Sequence, residues 1–147
     1  MRKRTIALIA ILTALLAACT EKTDYNTLLV RADSLMNLHP DSALHMLESI
    51  STDSLSTKAD RAYHALLLTQ ARDKNYMVQT DDSLIQVAVR YYDTHEDALL
   101  QARAYYYWGC VYRDMKKAEE AVTSFLTANI LAKKQKTFVC KALSAII

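Results

Sequence analysis

Four histidines (His39, His45, His64, His95) and three cysteines (Cys19, Cys110, Cys140) are the residues best suited to metal or nucleophilic chemistry, and their spacing assembles no site. No HExxH pair sets two imidazoles one turn apart for zinc. His45 and Glu48 stand three apart, the spacing of a ligand pair, but such a pair without a third ligand is ordinarily a solvated helix face. Asp81-Asp82 could hold a cation; acceptors and negative charge at a helix start explain the two carboxylates better. There is no SxxK, no nucleophile elbow and no CxxC. Phosphate and dinucleotide loops need several glycines to bring backbone up to the ligand, and Gly109 is the one glycine of the chain. The sequence argues against an enzyme. It gives no sign of a metal or cofactor and identifies no small-molecule substrate.

The aromatic run Tyr105-Tyr106-Tyr107-Trp108, with Tyr112, is the remaining feature that could hold a ligand, and a helix has to carry it. One Gly and one Pro leave too little punctuation for strands and hairpin turns, so the expected fold class is all-α. Apolar residues recur at helical spacing along most of the chain. Tyr25, Leu28, Leu29, Ala32, Leu35 and Met36 form a first stripe. Pro40 ends it and suits the first position of a second helix, where no N–H donor is needed. Ala43, Leu44, Met46, Leu47 and Ile50 form the second stripe, and residues 49–56, rich in Ser, Thr and Asp, read as a linker. Thr57 with Asp60 matches a capping box ahead of Ala59, Ala62, Tyr63, Leu66, Leu67 and Gln70. A polar break is expected over 72–80, then a helix through Leu84, Ile85, Ala88, Val89, Tyr91 and Tyr92. Thr94 with Asp97 offers a cap for a helix from about 97 to 113. A turn near Met115 and Lys116 leads to a helix over about 117–133, and 138–147 reads as the start of one more.

Within this pattern lies a repeat. Tyr105, Trp108, Gly109 and Tyr112 are followed by Ala121, Phe125 and Ala128 at offsets that resemble the tetratricopeptide repeat, a 34-residue helical hairpin. Small residues at Gly109 and Ala121 let two helices approach closely, and aromatics at Tyr112 and Phe125 fill the flanks. Lys116 stands where that family usually has Gly, and Lys133 near its usual Pro. The match is best over 101–134 and degenerate over 25–50 and 57–93. The resemblance implies antiparallel hairpins stacked as an α-solenoid over 25–147, with an incomplete helix at 138–147. It puts Tyr105, Trp108 and Tyr112 on the packing face. It puts Tyr106, Cys110 and Arg113 on the face that lines the family's concave groove, with Arg103 on its flank. By the same logic His64 and Thr69 line the groove of the preceding unit. An exposed tyrosine beside arginine is a reasonable anchor for a peptide or helix; a partly covered surface tyrosine is the plainer alternative.

The N-terminus speaks to location. Arg2, Lys3 and Arg4 precede an apolar run from Ile6 to Ala18, too short to span a bilayer and of the length of a cleaved signal core. Leu16-Ala17-Ala18-Cys19 resembles the lipobox of bacterial lipoproteins. That resemblance implies a signal peptide over 1–18, acyl chains on Cys19, and a short tether over 19–24. Two or three chains anchor a protein stably where one does not. The expected setting is the cell envelope of a Gram-negative bacterium, with Thr20 after the cysteine favouring the outer membrane. Without the three leading cations, 15 cations face 16 anions, so nothing suggests nucleic acid. Cys110 and Cys140 are free to be a disulfide or two small buried residues, the second being the simpler expectation. The expected function is a membrane-anchored scaffold that grips a protein or peptide partner. The alternatives are a sensory front end of a longer, truncated protein, or a solute-binding lipoprotein.

Overall fold

Side chains supplied by the sequence set most of the helix starts. In a computed structural model of the protein, which describes residues 26–144 and the side chains of 26–136, the Asn26 carboxamide oxygen accepts the Leu28 N–H at 2.9 Å and opens α1, Thr27–Leu35. Pro40 occupies the first position of α2, Pro40–Ser49. After a 3₁₀ turn at Thr52–Ser54, the Thr57 hydroxyl accepts the Asp60 N–H at 2.9 Å and opens α3, Lys58–Lys74. The Asp60 carboxylate does not close the box on Thr57 N–H. It accepts the Asn26 N–H at 2.8 Å and so ties the start of α1 to the start of α3.

Asp81 accepts the Ser83 N–H at 3.0 Å at the start of α4, Ser83–Tyr92. Asp97 alone caps α5, Ala98–Asp114, by accepting the Leu100 N–H at 2.9 Å. Thr94 does not share that cap as expected. Its hydroxyl donates to the Tyr91 carbonyl at 3.0 Å and finishes α4. The last helix, α6, runs Ala118–Ser144 without the interruption expected at 134–137, so no separate helix begins at 138.

Two helices end on a left-handed residue other than glycine. Asn75 closes α3, and Tyr76 beyond it is left-handed at φ 59°. Its N–H reaches the Asp73 carbonyl while Met77 N–H reaches the Arg72 carbonyl. Lys116 repeats this after α5 at φ 61°, with Lys116 N–H on Arg113 and Lys117 N–H on Tyr112. Both are Schellman closures, which settle the orphan carbonyls of a last turn. The first one carries α3 through Lys74, three residues into the expected polar break.

Packing follows chain order. Helices α1 and α2, α3 and α4, and α5 and α6 form hairpins; α2 lies on α3 and α4 on α5. The odd-numbered helices also touch in series, α1 to α3 and α3 to α5. Helix α3 is the hub: every residue from Ala59 to Ala71 except Arg61 is buried. A helix covered all round belongs at the centre, and fully buried Leu66 and Leu67 contribute about 2 kcal/mol each by leaving water. From the first stripe Leu29, Ala32 and Met36 reach the core, as do Ala43 and Leu47 of the second, while Leu28 is nearly half exposed. The Ser/Thr/Asp linker is pinned by buried Leu55. Residues 1–25 and 145–147, and the side chain of Cys140, lie outside the described residues, and with them the expected signal peptide, lipidated Cys19, tether and Cys110–Cys140 pairing.

Candidate functional site

The close approach of α5 and α6 rests on Gly109. A Cβ added there would meet the Phe125 ring at 2.6 Å, so only glycine leaves room for the ring against the α5 backbone. Ala121 and Ala128, one turn to either side on α6, are buried in the same contact. Gly109, Ala121 and Phe125 thus set the contact between α5 and α6.

The remaining repeat aromatics face α4. Tyr105, Trp108 and Tyr112 are half-buried and form a ladder: Tyr105 and Trp108 lie 5.8 Å apart, Trp108 and Tyr112 5.3 Å apart and nearly stacked. Trp108 Nε1–H donates to Asp82 at 2.9 Å, and the Tyr105 hydroxyl donates to Asp93 at 3.2 Å. Burial works to raise the Asp82 carboxyl, but hydrogen bonds from Gln86, Trp108 and Tyr112 outweigh it and hold Asp82 below its ordinary range. Asp82 is therefore a structural acceptor joining α4 to α5, and nothing in its setting asks for a cation.

On the other side of α5 an open groove of about 670 Å³ runs between α5 and α6. Leu99, Ala102, Arg103, Tyr106 and Tyr107 line it from α5, and Phe125, Ala128, Asn129 and Ala132 from α6. Tyr106 is half exposed and packs its ring edge-on to Tyr107 at 5.1 Å and tilted on Phe125 at 5.5 Å. Tyr107, which sequence reasoning passed over, is the buried member of the aromatic run, and burial raises its phenol.

The five expected groove residues separate. Tyr106 and Arg103 line the groove. Arg103 does so with its charge already committed: two nitrogens reach Asp33 at 3.1 and 2.7 Å, and Nη2 also donates to Gln70 at 2.7 Å. The Tyr63 hydroxyl completes the cluster on Asp33 at 2.7 Å. Burial works against both charges, yet these bonds prevail, lowering the Asp33 carboxyl and raising the Arg103 guanidinium.

Arg113 is exposed but turns to Asp73 at 2.8 Å and Asp114 at 2.9 Å, outside the groove lining. Cys110 is fully buried, and burial together with nearby Asp73 pushes its thiol to about 12, so it cannot line a surface or act as a nucleophile. His64 is buried in α3 with Nε2 2.9 Å from the Leu47 carbonyl. A carbonyl only accepts, so Nε2 carries the proton and the ring is a core strut. Thr69, beside it in the expectation, is buried with its hydroxyl on the Ala65 carbonyl. Cys110 sits inward beside Asp73 of α3, and His64 sits inward against α2, so neither lies on the open face that the repeat analogy implies.

A second concavity of about 650 Å³ lies between the α4–α5 loop and α6, beside Asp93, His95, Glu96, Asp97 and Lys134. Two of its polar groups are engaged: Asp93 accepts from Gln101 and Tyr105, and His95 stacks on Tyr91 with centroids 3.8 Å apart. Among the described residues no three His, Cys, Asp or Glu side chains converge as a metal set, and no helix is long and apolar enough to cross a membrane. No protein-family model, curated protein or solved structure matches the chain. What the α5–α6 groove offers is shape, apolar wall and one half-exposed phenol, a set suited to holding a side chain or helix face.

Proposed function

We propose that the chain is a membrane-tethered scaffold of tetratricopeptide-like hairpins that holds an apolar segment of a protein partner in the groove between α5 and α6. The observation that carries this reading is Tyr106, half exposed on Phe125 at the edge of a groove walled by Leu99 and Ala132. Interfaces concentrate their energy in such aromatic anchors seated in apolar surroundings. Arg103 contributes a polarised floor rather than a free charge, so the segment that fits is apolar or amphipathic and not strongly acidic. On this reading Cys19 bears the lipid, the tether over 19–24 keeps the groove near the membrane, and the site of action is the bacterial envelope, most simply the outer membrane.

A photo-crosslinking residue at position 106, introduced in the intact cell, tests the groove. The expected result is a discrete protein adduct that disappears when Ala132→Trp fills the groove or Leu99→Asp charges its rim. Both positions are exposed, so neither change enters the core. An adduct indifferent to both substitutions argues against the groove. Cys19→Ser tests the anchor: the protein should leave the membrane fraction after a high-salt wash.

A further inference from the structure

Helix α6 buries Ala121, Ser124 and Ala128. At about 100° per residue, the opposite face carries Glu119, Val122, Leu126, Ile130 and Lys133. Val122, Leu126 and Ile130 are 56%, 57% and 66% exposed, and Glu119 and Lys133 are exposed beside them. A run of three branched apolar side chains in water on one helix face is a surface that something covers.

The order of these residues says what covers it. Their spacing is three, four, four, three, symmetric about Leu126. Let a second α6 lie antiparallel on the first, with a two-fold axis through Leu126. Val122 then meets the second copy's Ile130, Leu126 meets its own equivalent, and Glu119 meets the second copy's Lys133. Each contact occurs twice, as a two-fold interface demands. The spacing is also that of a helix–helix seam.

Charge selects the direction. Glu119 and Glu120 stand at the start of α6, and Lys133, Lys134 and Lys136 thirteen or more residues on. A parallel pair would set carboxylate on carboxylate and ammonium on ammonium. The antiparallel pair sets unlike charges together and opposes the two helix dipoles as well. An unrelated partner would place no demand for mirror order on this face; a second copy does.

We propose that α6 pairs antiparallel with α6 of a second copy of this chain, with Leu126 on the two-fold axis. The groove beside Tyr106 lies on a different flank of α6, at Phe125, Asn129 and Ala132, about 100° around the helix. The dimer therefore keeps both grooves open and can hold two segments of one partner, or two partners, at once.

The test uses the full-length chain in detergent, with Cys19→Ser and Cys140→Ser as background. Leu126→Cys is expected to give a disulfide-linked dimer on mild oxidation, and Glu120→Cys, about a third of a turn away, is not. In sedimentation the parent chain is expected to self-associate. Glu119→Lys and Lys133→Glu should each weaken the dimer about tenfold or more, because symmetry doubles each repulsion, and the two together should restore it. Circular dichroism checks that each variant stays helical. A parent chain that remains monomeric overturns the proposal. So does a dimer that survives Leu126→Asp, one crosslinked equally well from position 120, or a double charge swap that fails to restore association.

Discussion

Arg103 on α5 grips Asp33 on α1 across 70 positions of the chain, through both terminal nitrogens of its guanidinium, while Tyr63 and Gln70 on α3 hold the two ends of the pair. Three hairpins thus share one polar cluster along the line of odd-numbered helices. Both side chains are about a quarter exposed, so water screens the pair only in part. A bidentate, charge-assisted contact of this kind is among the stronger polar interactions a fold can make.

Replacing Asp33 by Asn should lower stability by about 2 kcal/mol, since a charged hydrogen-bond pair is lost and a guanidinium is left half-buried. The effect depends on pH with a defined sign. The folded-state carboxyl lies below its ordinary value. Its contribution is therefore complete above the unfolded-state value of about 3.9 and lost as acid carries the solution through the lower folded value. Urea midpoints of the parent and Asp33→Asn should differ by a constant amount between about pH 5 and 8 and converge below about pH 4. A gap that widens in acid would contradict the assignment.

Gly109→Ala puts two effects in opposition. Alanine favours a helix interior by about 1 kcal/mol, but its methyl would intrude on the Phe125 ring at 2.6 Å. Overpacking of that kind costs about 1–3 kcal/mol, so the single variant should be less stable than the parent. In a Phe125→Leu background the same change should become stabilising. A double-mutant cycle by thermal unfolding measures the coupling; simple additivity would show that the ring and the backbone do not compete for the space.

Cys110, with its thiol near 12, should be silent to a thiol reagent at neutral pH until the protein unfolds. The measurement needs Cys19 and Cys140 replaced by Ser, so that one thiol reports. Because the folded value is raised, the stabilisation is complete below the unfolded-state value of about 8.5 and fades as alkali carries the pH through it toward the folded one. Labelling should follow global unfolding in urea. Fast labelling of the native chain would mean that Cys110 lies at a surface.

Lys116 closes α5 in a left-handed conformation that costs a side-chain-bearing residue about 1–2 kcal/mol. Glycine removes that cost but adds freedom to the unfolded chain. Lys116→Gly should therefore stabilise by about 0.5–1 kcal/mol, readable as a raised thermal midpoint. A fall would indicate that the lysine stem contributes packing that outweighs the strain.

Much of the fold was legible because helices announce themselves locally. Pro40, Thr57 and Asp97 sit at helix starts, and the stripes through Leu29, Ala43, Leu66 and Val89 face inward. What failed were judgements that depend on distant partners. Asp33 looks like a polar residue at the edge of a short apolar stripe, and nothing near it reveals Arg103. The repeat analogy puts His64 and Cys110 on an open face, but α2 covers His64 and α3 covers Cys110. The end of α3 runs into the polar stretch because a Schellman closure without glycine leaves no letter to read. The unbroken α6 arose similarly: a lysine-rich segment resembles a helix end, yet long side chains continue a helix easily.

Arg103 belongs to the groove lining and to the clasp on Asp33 at once. A guest that draws on the guanidinium must therefore weaken the hold on α1, and a loosened first helix must in turn change what the groove retains. Thermodynamic reciprocity makes the two effects equal in size. Strain on α1 and occupancy at the far hairpin are then two readings of a single balance.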